Sequence, residues 1–284
     1  MDLFFFDPDV LLPLARKRHD DFVTAEPFPY AVFDGMLPDD LLERVLAEFP
    51  AESDDRWFRF DHARSHKLAM NKESDIGIAT RQLLAQFNSA VFVRFLETLT
   101  GAEGLIPDPH LEGGGLHQIE SGGFLKIHTD FNVHPDWELD RRINVILYLN
   151  RGWDASWGGQ LELWNVAMTA CRTIEPVFNR VLVFETSDTS KHGHPDPLAS
   201  PPGVARRSLA LYYYSNGRPG AERFEAHPTI HFERPGEVFD AQQAASPRAV
   251  SAAKKVVLSL LPPAAVRKLS VLRSRFTASG RSSR

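Results

Sequence analysis

"RVLVFETSDTSKHGHPDPLASPPGVARRSLALYYYS", residues 180–215, decides how this chain folds. Its two ends are short runs of β-branched, leucine and aromatic residues. Its middle is Ser, Gly, Pro and Asp, with two histidines. Short apolar runs bounded by turn formers read as strands joined by a loop. The same texture recurs upstream in "GLHQIES" (115–121), "FLKIHTD" (124–130), "INVILYLN" (143–150), "GQLELWN" (159–165) and "TIEPV" (173–177). Many short strands at close spacing predict an antiparallel sandwich or barrel over residues 104–233.

The flanks differ from this centre. Residues 1–27 show no clear period. "YAVFDGMLPDDLLERVLAEFP" (30–50) reads as strand, turn and helix, with Pro38, Asp39 and Asp40 as the helix start and Leu41, Leu42, Val45, Leu46 and Phe49 as an apolar stripe. "DIGIATRQLLAQFNSAVFVRFLETLTG" (75–101) reads as one amphipathic helix or a broken pair stopped by Gly101. The chain thus divides into a supporting strand/helix region (1–103), a β core (104–233) and a basic C-terminal segment (234–284). That last segment is expected to form a helix broken at Pro262–Pro263. It either packs on the core or meets a partner helix or an anionic surface.

Composition narrows the class. With 43% hydrophobic and 24% charged residues the chain is an ordinary globular sequence. A net charge of -5 speaks against a general nucleic-acid binder. The single cysteine, Cys171, excludes an internal disulfide and any cysteine-built zinc or iron–sulfur cluster. The first residues lack the order of a secretory signal, and no apolar run approaches the ~20 residues of a membrane span. The expectation is a soluble, cytoplasmic protein.

Chemistry concentrates in the histidines. His19, His62, His66, His110, His227 and His231 lie near loops or charged segments and read as surface or hydrogen-bonding residues. His128 and Asp130 are two apart on a predicted strand, so they share a face. An imidazole and a carboxylate on one side, with a further histidine from elsewhere, make the facial triad of non-haem Fe(II) sites. An H-x-D pair alone is weak evidence, since the two can simply bond each other at a strand end. The second histidine element, His192 and His194, follows a β-branched strand, and Arg206–Arg207 open the next one. A 2-oxo acid that chelates iron at one end needs a cation for its far carboxylate, and arginine meets a carboxylate bidentately.

Over residues 113–217 the sequence resembles the 2-oxoglutarate/Fe(II)-dependent dioxygenase superfamily, in its prolyl-4-hydroxylase-like branch. "HTD" (128–130), "YLNRGWDASWGGQLELW" (148–164), "IEPVFNRVLVFETSDTSKHGHP" (174–195) and "RRSLALYYY" (206–214) carry the resemblance, in order. It implies a mainly β protein with supporting α-helices around a double-stranded β-helix (jelly roll, cupin-like) core. It favours His192 over His194 as the distal ligand, because Pro195 and Pro197 follow. Arg206 is preferred to Arg207: its face carries Ser208, Ala210 and Tyr212, suited to a ligand-holding interior, and the aromatic triplet aligns to the same choice. Tyr148 is implied at the co-substrate's far carboxylate, and Gln118 at the wall of its pocket. His134 falls to the loop beyond the strand, facing substrate.

The implied cofactors are Fe(II), 2-oxoglutarate and O2, with ascorbate as reductant. The implied reaction hydroxylates an unactivated C–H of a peptide or protein side chain, or of a small amino-acid-like metabolite, releasing succinate and CO2. Asp130 speaks against a halogenase, in which a small residue replaces the carboxylate. A cupin-like metal-dependent hydrolase or isomerase and a non-catalytic jelly-roll binding protein stand as alternatives.

Overall fold

The computed structural model describes residues 4–219 and 225–237. They belong to one compact unit, Met1–Glu237; the predicted basic helix and tail lie outside the described residues. Four α-helices precede the core: α1 (Pro8–Val23), α2 (Asp39–Ala47), α3 (Ile78–Phe87) and α4 (Ala90–Thr100). The strands are β1 (Tyr30–Asp34), β2 (Phe58–His62), β3 (Ser65–Met70), β4 (Ile106–Pro107), β5 (Gly115–Ile119), β6 (Phe124–Thr129), β7 (Asp140–Tyr148), β8 (Leu161–Trp164), β9 (Cys171–Ile174), β10 (Arg180–Glu185), β11 (Lys191–His194), β12 (Arg206–Ser215) and β13 (Ile230–His231).

All pairings are antiparallel, and the curled sheet runs β1-β10-β7-β12-β5-β3-β6-β11-β8-β9. This is the double-stranded β-helix that the resemblance implied, and it agrees with the antiparallel sandwich or barrel read from the strand pattern. β3 joins the two halves, pairing Leu68 with Gln118 on β5 and Ser65 with Leu125 on β6. β13 extends the far end of β6, setting His231 opposite His128.

Alternation along the strands explains the layers. Val145 and Leu147 of β7, Val181 and Val183 of β10, and Leu209, Leu211 and Tyr213 of β12 point to the helices and join the main core. Tyr148, Leu182 and Phe184, on the opposite face, form a smaller core with Leu161, Leu163 and Ile174. The helices hold the first face through Phe92, whose ring lies 4.8 Å from Phe87 and 4.9 Å from Phe6. Truncating such a buried phenylalanine to Ala costs about 3–5 kcal/mol. Tyr213 fastens the sheet to α3, its hydroxyl donating to the Phe87 carbonyl at 2.9 Å.

The helix termini follow local chemistry. α3 and α4 are the broken pair, separated at Asn88–Ser89. Ser89 caps α4 by accepting from Phe92 N, and Gly101 ends it at φ 75°. α3 takes its cap from α2's end: the Glu48 carboxylate accepts from Ala79 N and Thr80 N, both at 2.8 Å. α1 was not expected. Asp7 caps it, Pro8 starts it, and Leu11, Ala15 and Phe22 are its buried stripe. Pro13 inside the helix and the small Ala15 hide that stripe from a reading by period. No helix of the described residues is long and apolar enough to cross a membrane.

Candidate functional site

The cavity lies between the two halves of the β-helix, with a volume of about 240 Å³. His128 projects into it from β6 and His192 from β11, directly opposite in the strand register. Asp130 follows β6 on the same side. One ligand atom from each of these three buried residues lies within 4.8 Å of the others. Asp130 Oδ1 is 3.6 Å from His128 Nε2, and Oδ2 is 3.5 Å from His192 Nε2.

The rings are oriented from behind. His128 Nδ1 donates to the Lys126 carbonyl at 2.9 Å, and His192 Nδ1 to the Ser190 carbonyl at 3.0 Å. With Nδ1–H so engaged, each Nε2 keeps its lone pair for the cavity. Burial, with His128 beside it, takes His192 down to about 4, so its imidazole is neutral near pH 7. Burial raises the Asp130 carboxyl. Arg141 and the neighbouring imidazoles overcome this and hold it well below the ordinary carboxylate range. Arg141 Nη2 at 3.0 Å and Asn144 Nδ2 at 2.7 Å both donate to Asp130 Oδ2. Two imidazole nitrogens and a carboxylate on one wall, with open space opposite, fit a non-haem Fe(II) ion.

A bulge separates the two distal histidines. His192 pairs with His128, but His194 pairs with Leu125, so β6 spends one extra residue there. The strands run antiparallel, so His194 lies away from Asp130. Both of its ring nitrogens lack a hydrogen-bond partner, and burial beside Arg206 and Lys67 keeps it well below its usual pKa. The alignment is tight at Gly193, where a Cβ would meet the Leu125 and Lys126 carbonyl oxygens at 2.8 and 2.9 Å.

At the other end of the cavity stands Arg206, buried on β12 and facing inward with Ser208, Ala210 and Tyr212. Its Nε donates to the Gly159 carbonyl at 2.8 Å, and Nη2 lies 3.5 Å from the Tyr148 hydroxyl. Gly159 sits at φ 76°, and a Cβ there would reach Arg206 Cδ at 3.0 Å and Leu198 Cδ2 at 2.6 Å. The second glycine of "WGGQL" therefore makes room for the guanidinium. A buried guanidinium beside a phenol hydroxyl fits the far carboxylate of a 2-oxo acid.

Several expectations are corrected by the placement of side chains. Gln118 does not line the cavity. It is on the opposite face of β5, accepting from Arg207 Nε at 2.9 Å and donating to Glu120 at 2.6 Å. The inward residue of that strand is His117. His231, expected near the surface, lines the cavity half-buried, with its ring 5.6 Å from that of His128; His62 borders the cavity but stays exposed, as expected. His134 does not face the cavity. Its Nδ1 accepts from Asp136 N and Trp137 N, its ring stacks on Trp137 at 4.3 Å, and Nε2 lies 3.8 Å from Asp108.

Arg141 and Lys67 were missed. Alternation along β7 puts Asn144, Ile146 and Tyr148 inward and would place Arg142, not Arg141, with them. The register instead steps from Tyr213↔Ile143 to Tyr214↔Arg141, so Arg142 is a bulge and Arg141 turns inward. Lys67 sits on the hairpin of β2 and β3, a segment with no clear signal in the sequence.

Residues 114–214 match the family model described as the 2OG-Fe(II) oxygenase superfamily. No curated protein sequence matches the chain. Among solved structures, a Pseudomonas putida prolyl-4-hydroxylase is similar over 72% of this chain and 100% of its own, at 20% identity and a TM-score of 0.52. A Trichoplax adhaerens prolyl hydroxylase, solved with a hypoxia inducible factor peptide fragment, is similar over 73% of this chain and 91% of its own, at 17% identity and TM-score 0.54. A Phytophthora capsici prolyl 4-hydroxylase gives 19% identity and TM-score 0.53, over 74% of this chain and 65% of its own. These likenesses establish the fold. The stretch matched by the family model, just over a third of the chain, contains His128, Asp130, His192 and Arg206.

Proposed function

We propose that this chain is a 2-oxoglutarate- and Fe(II)-dependent hydroxylase, with His128, Asp130 and His192 as its iron ligands and Arg206 with Tyr148 as the seat of the far carboxylate. The observation that carries the reading is the convergence of those three side chains within 4.8 Å in the same cavity as a buried arginine. Iron and 2-oxoglutarate, when bound, supply the oxidising chemistry, coupling dioxygen reduction to decarboxylation of the 2-oxo acid. The chain does the rest. Arg141 and Asn144 fix Asp130, so the carboxylate stays ionised and pointed while buried. Ile119, Leu125, Ile146 and Leu161 line the cavity with apolar surface and keep bulk water from the reacting C–H.

The substrate is proposed to be a peptide or protein side chain, as in the prolyl hydroxylases of similar fold, or a small amino-acid-like molecule. A hydrolase or isomerase built on the same site would leave Arg206 buried without a role. The exposed thiol Cys171 suits a reducing compartment, and a cytoplasmic setting is part of this proposal.

Anaerobic addition of Fe(II) and 2-oxoglutarate tests the reading. A weak visible charge-transfer band is expected in the wild type and none in Asp130→Ala. If the wild type gives no band, and forms no succinate in air, the oxygenase reading is wrong.

A further inference from the structure

The cavity is unbalanced in charge. Asp130 is the one acidic residue among those lining it, whereas Lys67, Arg141 and Arg206 are cations. Arg141 is matched by Asp130 at 3.0 Å. Arg206 is taken, on the reading above, by the far carboxylate of 2-oxoglutarate. Lys67 is left over. Among the described residues no carboxylate pairs with it; its Nζ lies 5.0 Å from the centre of the Phe60 ring. Burial, with Arg141 and Arg206 pushing the same way and Asp130 opposing, brings its ammonium down to about 8. It is therefore still mostly charged at neutral pH.

Loading the site does not remove the surplus, because the charges of Fe(II) and of the 2-oxoglutarate dianion cancel. Unused polar groups face the same space. Arg141 Nη1 and both ring nitrogens of His194 have no hydrogen-bond partner, though these side chains are 0% and 3% exposed. An unpaired ammonium in a half-closed cavity costs desolvation that an incoming anion returns. The position suits a reader of substrate. β3 is the strand on which the two halves of the β-helix meet; Lys67 pairs with Phe60 of β2, and Ala69, the next residue on its face, pairs with the inward His117 of β5. A cavity of about 240 Å³ is small beside the ~300–1,000 Å³ typical of ligand sites, so with the co-substrate in place only a compact group enters.

We propose that the molecule hydroxylated here presents a carboxylate, and that Lys67 is the specificity residue that binds it. The proposal rests on the oxygenase reading and names its substrate class. The carboxylate can belong to a free amino-acid-like acid or to an acidic residue of a peptide; the chemistry at Lys67 is the same.

The test uses the Fe(II)- and 2-oxoglutarate-loaded enzyme and matched pairs of acid and primary carboxamide. One arm holds the common N-acetyl amino acids against their amides. The other holds short peptides containing Glu against the same peptides with Gln. The readouts are displacement of the anaerobic charge-transfer band and stimulated succinate release in air. Acids are expected to act at least about tenfold more strongly than their amides, as for loss of a hydrogen bond to a charged group. The arm that responds identifies the source. In Lys67→Met the preference should vanish and in Lys67→Arg survive in part, while both variants bind 2-oxoglutarate within about twofold of wild type. Equal action of acids and amides, no response to any acid, or a preference kept in Lys67→Met overturns the proposal. A tenfold loss of 2-oxoglutarate binding in Lys67→Met also overturns it, because Lys67 then serves the co-substrate. Failure of the oxygenase reading itself is seen earlier, as a missing band before any test compound is added.

Discussion

His192 stands directly across the β6–β11 pair from His128, their ring centroids 4.4 Å apart. Backbone register thus sets the spacing of two proposed ligands. The register depends on Gly193, because a Cβ there would strike the Leu125 and Lys126 carbonyl oxygens. Gly193→Ala should therefore loosen the strand pair. Overpacking of this kind costs about 1–3 kcal/mol. Urea unfolding should show that loss, and metal affinity of the folded variant should fall with it. Unchanged stability would mean that β6 yields easily at its bulge.

Asp130 is held by two donors on one oxygen, Arg141 at 3.0 Å and Asn144 at 2.7 Å. Asn144 also accepts from Arg141 Nε at 2.9 Å, so the three act as one unit. Outer partners of this kind are worth about 10–100-fold in metal affinity. Asn144→Leu should weaken Fe(II) or Mn(II) binding within that range while leaving the fold intact by circular dichroism. Arg141→Leu should do more, because it also removes the charge that keeps Asp130 ionised. Competitive titration with a metal indicator measures both.

These dependencies show what sequence can and cannot convey here. Strands such as Arg180–Glu185 and Arg206–Ser215 were legible because period-2 alternation separates a helix-facing row from an inner row. The same alternation failed where a bulge intervened. Arg141 is inward only because Arg142 is the extra residue, and nothing in "DRRINVILY" marks that step. Gln118 was assigned by analogy of position, yet the face its neighbours share belongs to His117. The hairpin Phe58–Met70 and the segment bearing Ile230–His231 contribute walls to the cavity without an apolar pattern of their own, because they bury little on one side. His134 was drawn toward substrate by proximity in sequence, whereas stacking on Trp137 takes it into the loop's own interior.

His117 gives a pH dependence with a definite sign. Burial, reinforced by Lys67 and Arg206, holds its imidazole well below the ordinary 6.5. In the unfolded chain the same residue protonates near 6.5. Below that pH the unfolded state binds the extra proton, so the folded state loses stability as pH falls. Between pH 7.5 and 5.5 the loss attributable to His117 should be about 1 kcal/mol. Urea titrations of the metal-free protein at those two pH values, wild type against His117→Gln, isolate it. The stability difference between the two proteins should shift against the wild type at the lower pH. No shift would mean that the imidazole gains a proton in the folded state.

Arg206 and Arg207 are adjacent and chemically identical, so the fold alone distinguishes them. Arg206 is buried inside the cavity against Gly159 and Tyr148, whereas Arg207 reaches outward to Gln118 and lies 5.7 Å from the Phe49 ring centre. Removing one partner of a buried, hydrogen-bonded charge pair costs about 2–5 kcal/mol, which is on the order of 30- to several-thousand-fold in affinity. Arg206→Met should lose 2-oxoglutarate binding to that extent in an anaerobic titration with metal present. Arg207→Met should leave it unchanged and cost only about 0.5–1 kcal/mol of stability through its lost ring contact. Tyr148→Phe removes a single neutral donor beside Arg206 and should fall between the two. If Arg207→Met alone weakens 2-oxoglutarate binding, the inward face of β12 has been misassigned as the co-substrate wall.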